Sequence, residues 1–353
     1  MNIVVLNQSF ETIYILDTYE SLIWVDRYYE AGDFEIYTPF DAGLLTYLQD
    51  GNYIQIEDSD RTMIIEKIEV TSGVDNGTHL IVSGRSLESI LTRRVIYPEA
   101  TISGKLQTIV QTWLNETIIN PTSATIGSQY YKLRKIDNFK FTPSTDTKVT
   151  GVTIPEETKN GEILYDVIQQ YCQDNELGFR VLLNKDNEFV FELYAGADRS
   201  ANQTDNDLVL FAKQYDNISS SDFYTDSKDF KNFVILVPGE SAAVYYGNTT
   251  AKGLKHREHY HSCQAETQEE MDYYANIELY DKSRDISVTA EVDPYNTQFR
   301  YNEHYFLGDI VQMASEITEG QARVTEYTIN VTESGKNCYP TFEFIPVYDE
   351  EDE

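Results

Sequence analysis

Residues 51–85 read GNYIQIEDSDRTMIIEKIEVTSGVDNGTHLIVSGR, three apolar-rich segments separated by short polar turns. Ile54 and Ile56 alternate with polar neighbours, as do Ile68 and Val70, and a period of two marks a half-buried strand. Asp58-Ser59-Asp60 and Asp75-Asn76-Gly77 supply turn chemistry. Their short polar side chains bond their own backbone, and in the second a glycine follows that accepts positive φ. The stretch predicts a three-stranded antiparallel meander.

A similar pattern returns at residues 308–344, GDIVQMASEITEGQARVTEYTINVTESGKNCYPTFEF. Gly51-x-Tyr53-Ile54-Gln55-Ile56 matches Gly308-x-Ile310-Val311-Gln312-Met313 in order and character. Ile68-x-Val70-Thr71 then matches Ile329-x-Val331-Thr332 after a loop about four residues longer, and Ser72-Gly73 and Ser334-Gly335 lead each copy into a further strand. The repeat suggests two related β-domains, one at each end of the chain.

Outward from the first meander, residues 3–40 read as strands at Ile3–Leu6, Thr12–Leu16, Leu22–Tyr28 and Phe34–Tyr37, with a short helix at Ala42–Leu48. Ser86–Leu91 predicts one helical turn, Ser86 at its N-cap and Glu88 in its first turn. Leu106, Ile109, Val110, Trp113 and Leu114 form one apolar helical stripe, and Leu164, Val167, Ile168, Tyr171 and Cys172 form another. Strands are expected at Tyr130–Leu133 and Phe139–Thr142, and a hairpin at Phe179–Leu183 and Phe189–Tyr194. Beyond the polar loop Ala197–Asp207 come strands at Leu208–Phe211, Phe223-Tyr224, Phe233–Val237 and Ala243–Tyr246. A helix over Glu266–Tyr280 and a last strand series from Ile286 complete the pattern. The fold class is therefore β-rich α+β, multi-domain.

The 353 residues carry 59 acidic and 27 basic side chains, a net charge of −32. A field of that sign repels phosphate backbones, which argues against sequence-specific nucleic-acid binding through basic contacts. The 27 tyrosines suit strands and interfaces, where a ring is buried while its hydroxyl stays wet. Three widely spaced cysteines, Cys172, Cys263 and Cys338, form neither a disulfide framework nor a CxxC metal knuckle. No apolar run approaches the ~20 residues of a membrane span. The N-terminus MNIVVLNQSF lacks the basic flank and long apolar core of a signal peptide, so synthesis in a cytoplasm without export by a signal-peptide route is expected.

Candidate sites are few. His256, His259, His261 and Cys263 lie within eight residues and offer soft metal ligands, with His259 and His261 on one strand face. HExxH and CxxC spacings are absent, so an exposed strand or loop is the default and no metal is assigned. Cys172 sits on a helical core stripe as a small apolar residue. Arg93-Arg94, the one paired arginine, reads as a solvated pair bonding nearby carboxylates. Close acid pairs such as Asp58/Asp60, Asp205/Asp207 and Glu269/Glu270 carry no information among 59 acids. There is no EF-hand loop, P-loop, GxGxxG or GxSxG motif. No catalytic residue, cofactor or enzymatic activity is expected.

Trp24, Tyr28-Tyr29, Gly32-Asp33-Phe34-Glu35 and Pro39, followed by Gly84-Arg85-Ser86-Leu87 and Arg93-Arg94, carry a resemblance. In order and spacing over about the first 96 residues they resemble the siphophage tail-tip, or tail-associated (Tal), proteins of phages and prophages of Gram-positive bacteria. That family is in turn similar to the baseplate hub of contractile-tailed phages. The resemblance implies two related β-barrel domains interrupted by α+β insertions. In these terms 1–98 is a first barrel completed by strands within 208–240, and 99–207 an α+β insertion. Residues 241–285 form a connecting segment with helix 266–280, 286–347 a second barrel with meander 308–344, and 348–353 an acidic tail. It also implies a homotrimer in the virion tail tip that closes the distal end of the tail tube and gates DNA passage. Its partners would be the distal tail protein, the tail tube, the tape-measure protein and DNA passing without sequence-specific contact. Many relatives continue into a peptidase, muralytic or fibre domain. This sequence ends at DEEDE soon after the second meander, so wall hydrolysis is not carried over. A carbohydrate-binding host-recognition protein and a wall-degrading hydrolase are the alternatives.

Overall fold

A computed structural model describes residues 1–73, 77–122, 130–293, 295, 298–315 and 317–345; the predicted Asp75-Asn76 turn and the acidic tail 348–353 lie outside these. The first 86 residues give seven strands: β1 (Ile3–Leu6), β2 (Thr12–Leu16), β3 (Ser21–Arg27), β4 (Asp33–Pro39), β5 (Tyr53–Ile56), β6 (Met63–Gly73) and β7 (Gly77–Ser86). They pair antiparallel in the order β2-β1-β5-β6-β7-β4-β3, so β5–β6–β7 is the meander the sequence predicts. Alternation sets the buried face: Leu22, Trp24 and Asp26 of β3 and Phe34, Ile36 and Thr38 of β4 all point inward.

A 3₁₀ helix, Leu87–Arg93, leads out of β7. Ser86 precedes it without capping it; its hydroxyl instead accepts from the Gly32 N–H at 2.8 Å. Next come β8 (Ala100–Lys105), α1 (Leu106–Leu114), α2 (Tyr131–Arg134), β9 (Phe139–Thr142), α3 (Thr147–Gly151), β10 (Thr153–Lys159), α4 (Leu164–Asp174), β11 (Gly178–Leu183) and β12 (Phe189–Tyr194). Both predicted helical stripes are buried and share one core with Phe179, Val181, Phe189 and Phe191. The strand expected at Tyr130–Leu133 is helical instead. Leu133 there is exposed, so no buried face selects a strand, and Arg134 fixes the turn by donating to the carbonyls of Val95 and Tyr97. The helix expected at Ala42–Leu48 shrinks to one 3₁₀ turn, Leu44–Thr46, with the Asn52 side chain donating to the Tyr47 carbonyl just beyond it.

The remaining elements are β13 (Asp198–Arg199), β14 (Leu210–Ala212), β15 (Ser220–Asp226), β16 (Phe233–Pro238), β17 (Val244–Gly247), β18 (Glu258–Cys263), α5 (Gln268–Asp281), β19 (Asp285–Glu291), β20 (Ile310–Ala314), β21 (Glu319–Thr332) and β22 (Gly335–Phe344). Thr267 caps α5 through a reciprocal capping box with Glu270. β21 pairs with β3 from Glu326↔Arg27 to Thr332↔Ser21, which fuses the two ends of the chain into one sheet, β15-β19-β22-β21-β3-β4-β7-β6-β5-β1-β2. A single core runs beneath it from Ile3 to Phe342. Of the strands within 208–240, β14 pairs with β20 and β15 with β19, joining the C-terminal strands and not residues 1–98. β16 forms a separate three-stranded sheet with β17 and β18.

The two meanders share their backbone irregularities. Gly51 and Gly308 both have positive φ, 79° and 88°. The Gly51 N–H donates to the Ile65 carbonyl and the Ile65 N–H to Asn52; Gly308 and Val324 exchange the corresponding bonds, with Asp309 in place of Asn52. A bulge follows at Ile65/Lys67 in one and Val324/Glu326 in the other. These landmarks set Ile68 against Tyr327, whereas matching the sequences sets it against Ile329. A slip of two residues preserves the inward and outward faces, so apolar alternation alone does not detect it.

Candidate functional site

Tyr28, just beyond β3, is the point at which three parts of the chain meet. Its ring is fully buried between Gly178 of β11 and Gly308 ahead of β20. A Cβ on Gly178 would lie 2.3 Å from that ring, and one on Gly308 2.2 Å, so only glycine admits it. The Tyr28 hydroxyl donates to the Glu176 carbonyl at 3.0 Å. Arg323 of β21 lies over the ring at 5.8 Å, donates to the Gly308 carbonyl and pairs with the Glu176 carboxylate. Asp309 accepts from the Ala197 and Phe306 N–H groups and from Arg199 Nε, holding the incoming strand in register.

A second buried polar group ties the large sheet to the α+β unit. Arg61 pairs with Glu88, both almost wholly buried, and donates to the Tyr194 hydroxyl at 3.2 Å. Glu88 also accepts from the Val181 N–H at 3.0 Å. Nearby, Asp26 accepts from Trp24 Nε1 at 2.9 Å and from the Ser59 hydroxyl at 2.8 Å. Burial pushes the Asp26 carboxyl up to about 6 against the pull of Arg61. Alternation along Leu22, Trp24 and Asp26 places this acid on the inward face, a signal present in the sequence but not read from it.

The raised Asp26 pKa has a definite sign. A carboxyl that holds its proton more tightly when folded contributes stability that is complete below its unfolded pKa of 3.8 and is lost as pH rises through about 6. Acidification from pH 8 to pH 5 is therefore expected to raise the melting temperature, with Asp26 contributing on the order of 1 kcal/mol over that interval. Asp26→Asn should flatten that dependence and stabilise the protein at pH 8. Thermal melts of both proteins at the two pH values check it.

The structure brings together part of the histidine cluster. His259 and His261 of β18 face α5, where Glu278 accepts from both, 2.6 Å from His259 Nε2 and 2.8 Å from His261 Nδ1. The hydrogen bond from His261 leads the effects that hold the Glu278 carboxyl below its usual range. His256 stands apart and pairs with Glu258. Cys263 and Cys172 are buried, and burial raises both thiols, which disfavours nucleophilic thiolates. Arg94 donates to the Arg134 carbonyl at 2.9 and 2.7 Å and Arg93 lies 4.0 Å from Glu66, so among the described residues only Arg93 of this pair meets a carboxylate.

The outer faces offer docking surfaces more than clefts. The edge strands β2 and β15 end the large sheet, with Ile15 and Tyr224 exposed. On the small sheet Tyr245, Ile235 and Tyr260 lie in one register row, and both tyrosines are exposed. A groove of about 390 Å³ runs past Lys148, Asp174, Glu176 and Arg323, the last two paired with each other. No helix among the described residues is long and apolar enough to cross a membrane.

Comparison with known proteins gives this geometry a context. A family model described as Siphovirus ReqiPepy6 Gp37-like protein matches residues 2–342. The fold is similar to that of a tail protein from Neisseria meningitidis MC58, with TM-score 0.64 at 13% identity over 99% of this chain and 98% of that one. A 43 kDa tail protein of prophage MuSo2 from Shewanella oneidensis aligns with TM-score 0.64 at 11% identity over 97% and 98%. Prophage tail protein gp18 from Listeria monocytogenes EGD-e gives 0.59 at 13% over 97% and 94%. No curated protein matches the chain.

Proposed function

We propose that this chain, which belongs to the Siphovirus ReqiPepy6 Gp37-like protein family, is the hub at the tail tip of a phage or prophage. It is a structural tail protein and not an enzyme. Three copies form a ring that closes the distal end of the tail tube and gates the passage of DNA. The observation that carries this reading is the repeated meander. Gly51 and Gly308 hold the same backbone bonds ahead of the same bulge, in two halves of one sheet. Two similar units per chain become six around a threefold axis, the number needed to meet a sixfold tube. The proposal takes residues 1–98 and 286–347 as the two barrels, with β14 and β15 assigned to the second.

Charge suits the same role. With 59 acids against 27 bases, a channel wall drawn from this surface repels DNA and lets it slide. The distal tail protein, the tail tube and the tape-measure protein are the neighbours this position requires. Unpaired edges at β2 and β15 are ready for strand-to-strand contact between copies. The exposed row of Tyr245 and Tyr260 supports carbohydrate binding as a second reading. The mass of the purified chain in solution separates the two: three chains per particle for the hub, and a single chain that retains glycans for the other.

A further inference from the structure

We infer that His259, His261 and Glu278 form a binding site for one divalent transition-metal ion of the zinc class, which pins α5 to the β16–β18 sheet. The site follows from local structure. Positions i and i+2 of β18 put both imidazoles on one face, while Tyr260 between them points outward. α5 crosses that face, and Glu278 presents both of its oxygens to the two rings. Ligand atoms from the three residues lie within 4.8 Å of one another. A tetrahedral ion with bonds of ~2.0–2.1 Å sets its ligand atoms ~3.3 Å apart. The present contacts of 2.6 and 2.8 Å need to open by well under an ångström to admit it.

The donor set decides the class of ion. Two imidazole nitrogens and one carboxylate suit borderline ions such as Zn²⁺, leaving a position open for water. Mg²⁺ and Ca²⁺ demand six or more oxygens, and this site offers two. The nitrogens that face Glu278, Nε2 of His259 and Nδ1 of His261, are the ones that coordinate the ion, which leaves the other nitrogen of each ring to carry its N–H. Asp281, one turn beyond Glu278, adds negative charge close to His259 and favours a cation further.

The position gives the ion structural leverage. Among the described residues, the core beneath the small sheet holds only Val234, Leu236 and Cys263 as buried apolar residues. α5 is also the contact to the α+β unit, where Tyr274 reaches Glu157 and Tyr273 reaches Asn175. A metal crosslink between β18 and α5 fixes a weakly cored sheet against the rest of the molecule.

Calorimetric titration of the full-length chain with Zn²⁺ tests the site, together with Co²⁺ absorption spectra of the unaltered protein. Expected are one equivalent bound, a visible Co²⁺ spectrum of a low-coordinate nitrogen and oxygen site, and a raised melting temperature. His259→Ala, His261→Ala and Glu278→Gln, each checked by circular dichroism for intact fold, should lose this binding, whereas His256→Ala should keep it. No saturable Zn²⁺ binding, equal binding in the His261→Ala protein, or equally tight binding of Mg²⁺ overturns the assignment. The Co²⁺ spectrum decides the matter even where a variant fails to fold. Its outcome is independent of oligomeric state, so it stands apart from the hub reading.

Discussion

Arg61→Met is expected to destabilise the protein by roughly 3–5 kcal/mol, because it strips the partner from a carboxylate that has no access to water. Glu88 is only 1% exposed, and its Oε2 has no hydrogen-bond partner even with Arg61 in place. Removing the guanidinium also withdraws a donor from Tyr194 and the positive charge that acts on Asp26. The double variant Arg61→Met/Glu88→Leu should recover much of the loss. A buried pair replaced whole by apolar groups of similar volume avoids the desolvation cost, leaving chiefly the Val181 N–H without its acceptor. Denaturant midpoints of the three proteins measure this. A single variant within 1 kcal/mol of the parent would mean that water reaches the pair.

The second large effect separates two glycines that look alike. Gly51→Ala and Gly308→Ala both force an L side chain into positive φ, at roughly 1–2 kcal/mol each. At Gly51 the new methyl meets only the terminal amide of Gln8, which can swing aside. At Gly308 it meets the Tyr28 ring at 2.2 Å, and that ring is held by Gly178 and by the Glu176 carbonyl. Overpacking there adds roughly 1–3 kcal/mol, so Gly308→Ala should cost about twice as much or more. Equilibrium unfolding of both variants is the measurement. Equal costs would show that the Tyr28 junction yields, and with it the coupling of the three parts.

Much of this architecture was legible because it rests on short-range periodicity. The meander at 51–85 and the stripes of α1 and α4 follow from alternation and helical spacing. So does the placement of His259 and His261 on one face of β18. What escaped depends on contacts far apart in sequence. Nothing near Arg27 announces that its strand will pair with Glu326, nor that Tyr28 needs glycines at 178 and 308. Glu278 could not be singled out from 59 acids until α5 was laid across β18. The register of the repeat slipped by two because alternating apolar residues (Tyr327, Ile329, Val331) fit either alignment, whereas a bulge and a positive φ fit only one.

The central claim is that copies of this chain close into a threefold hub. Sedimentation equilibrium of the purified protein across a concentration series tests it most directly. The account predicts a particle of three chains that persists on dilution to the concentrations at which specific interfaces of this kind hold. A mass of one chain at every concentration, or of two, would contradict it.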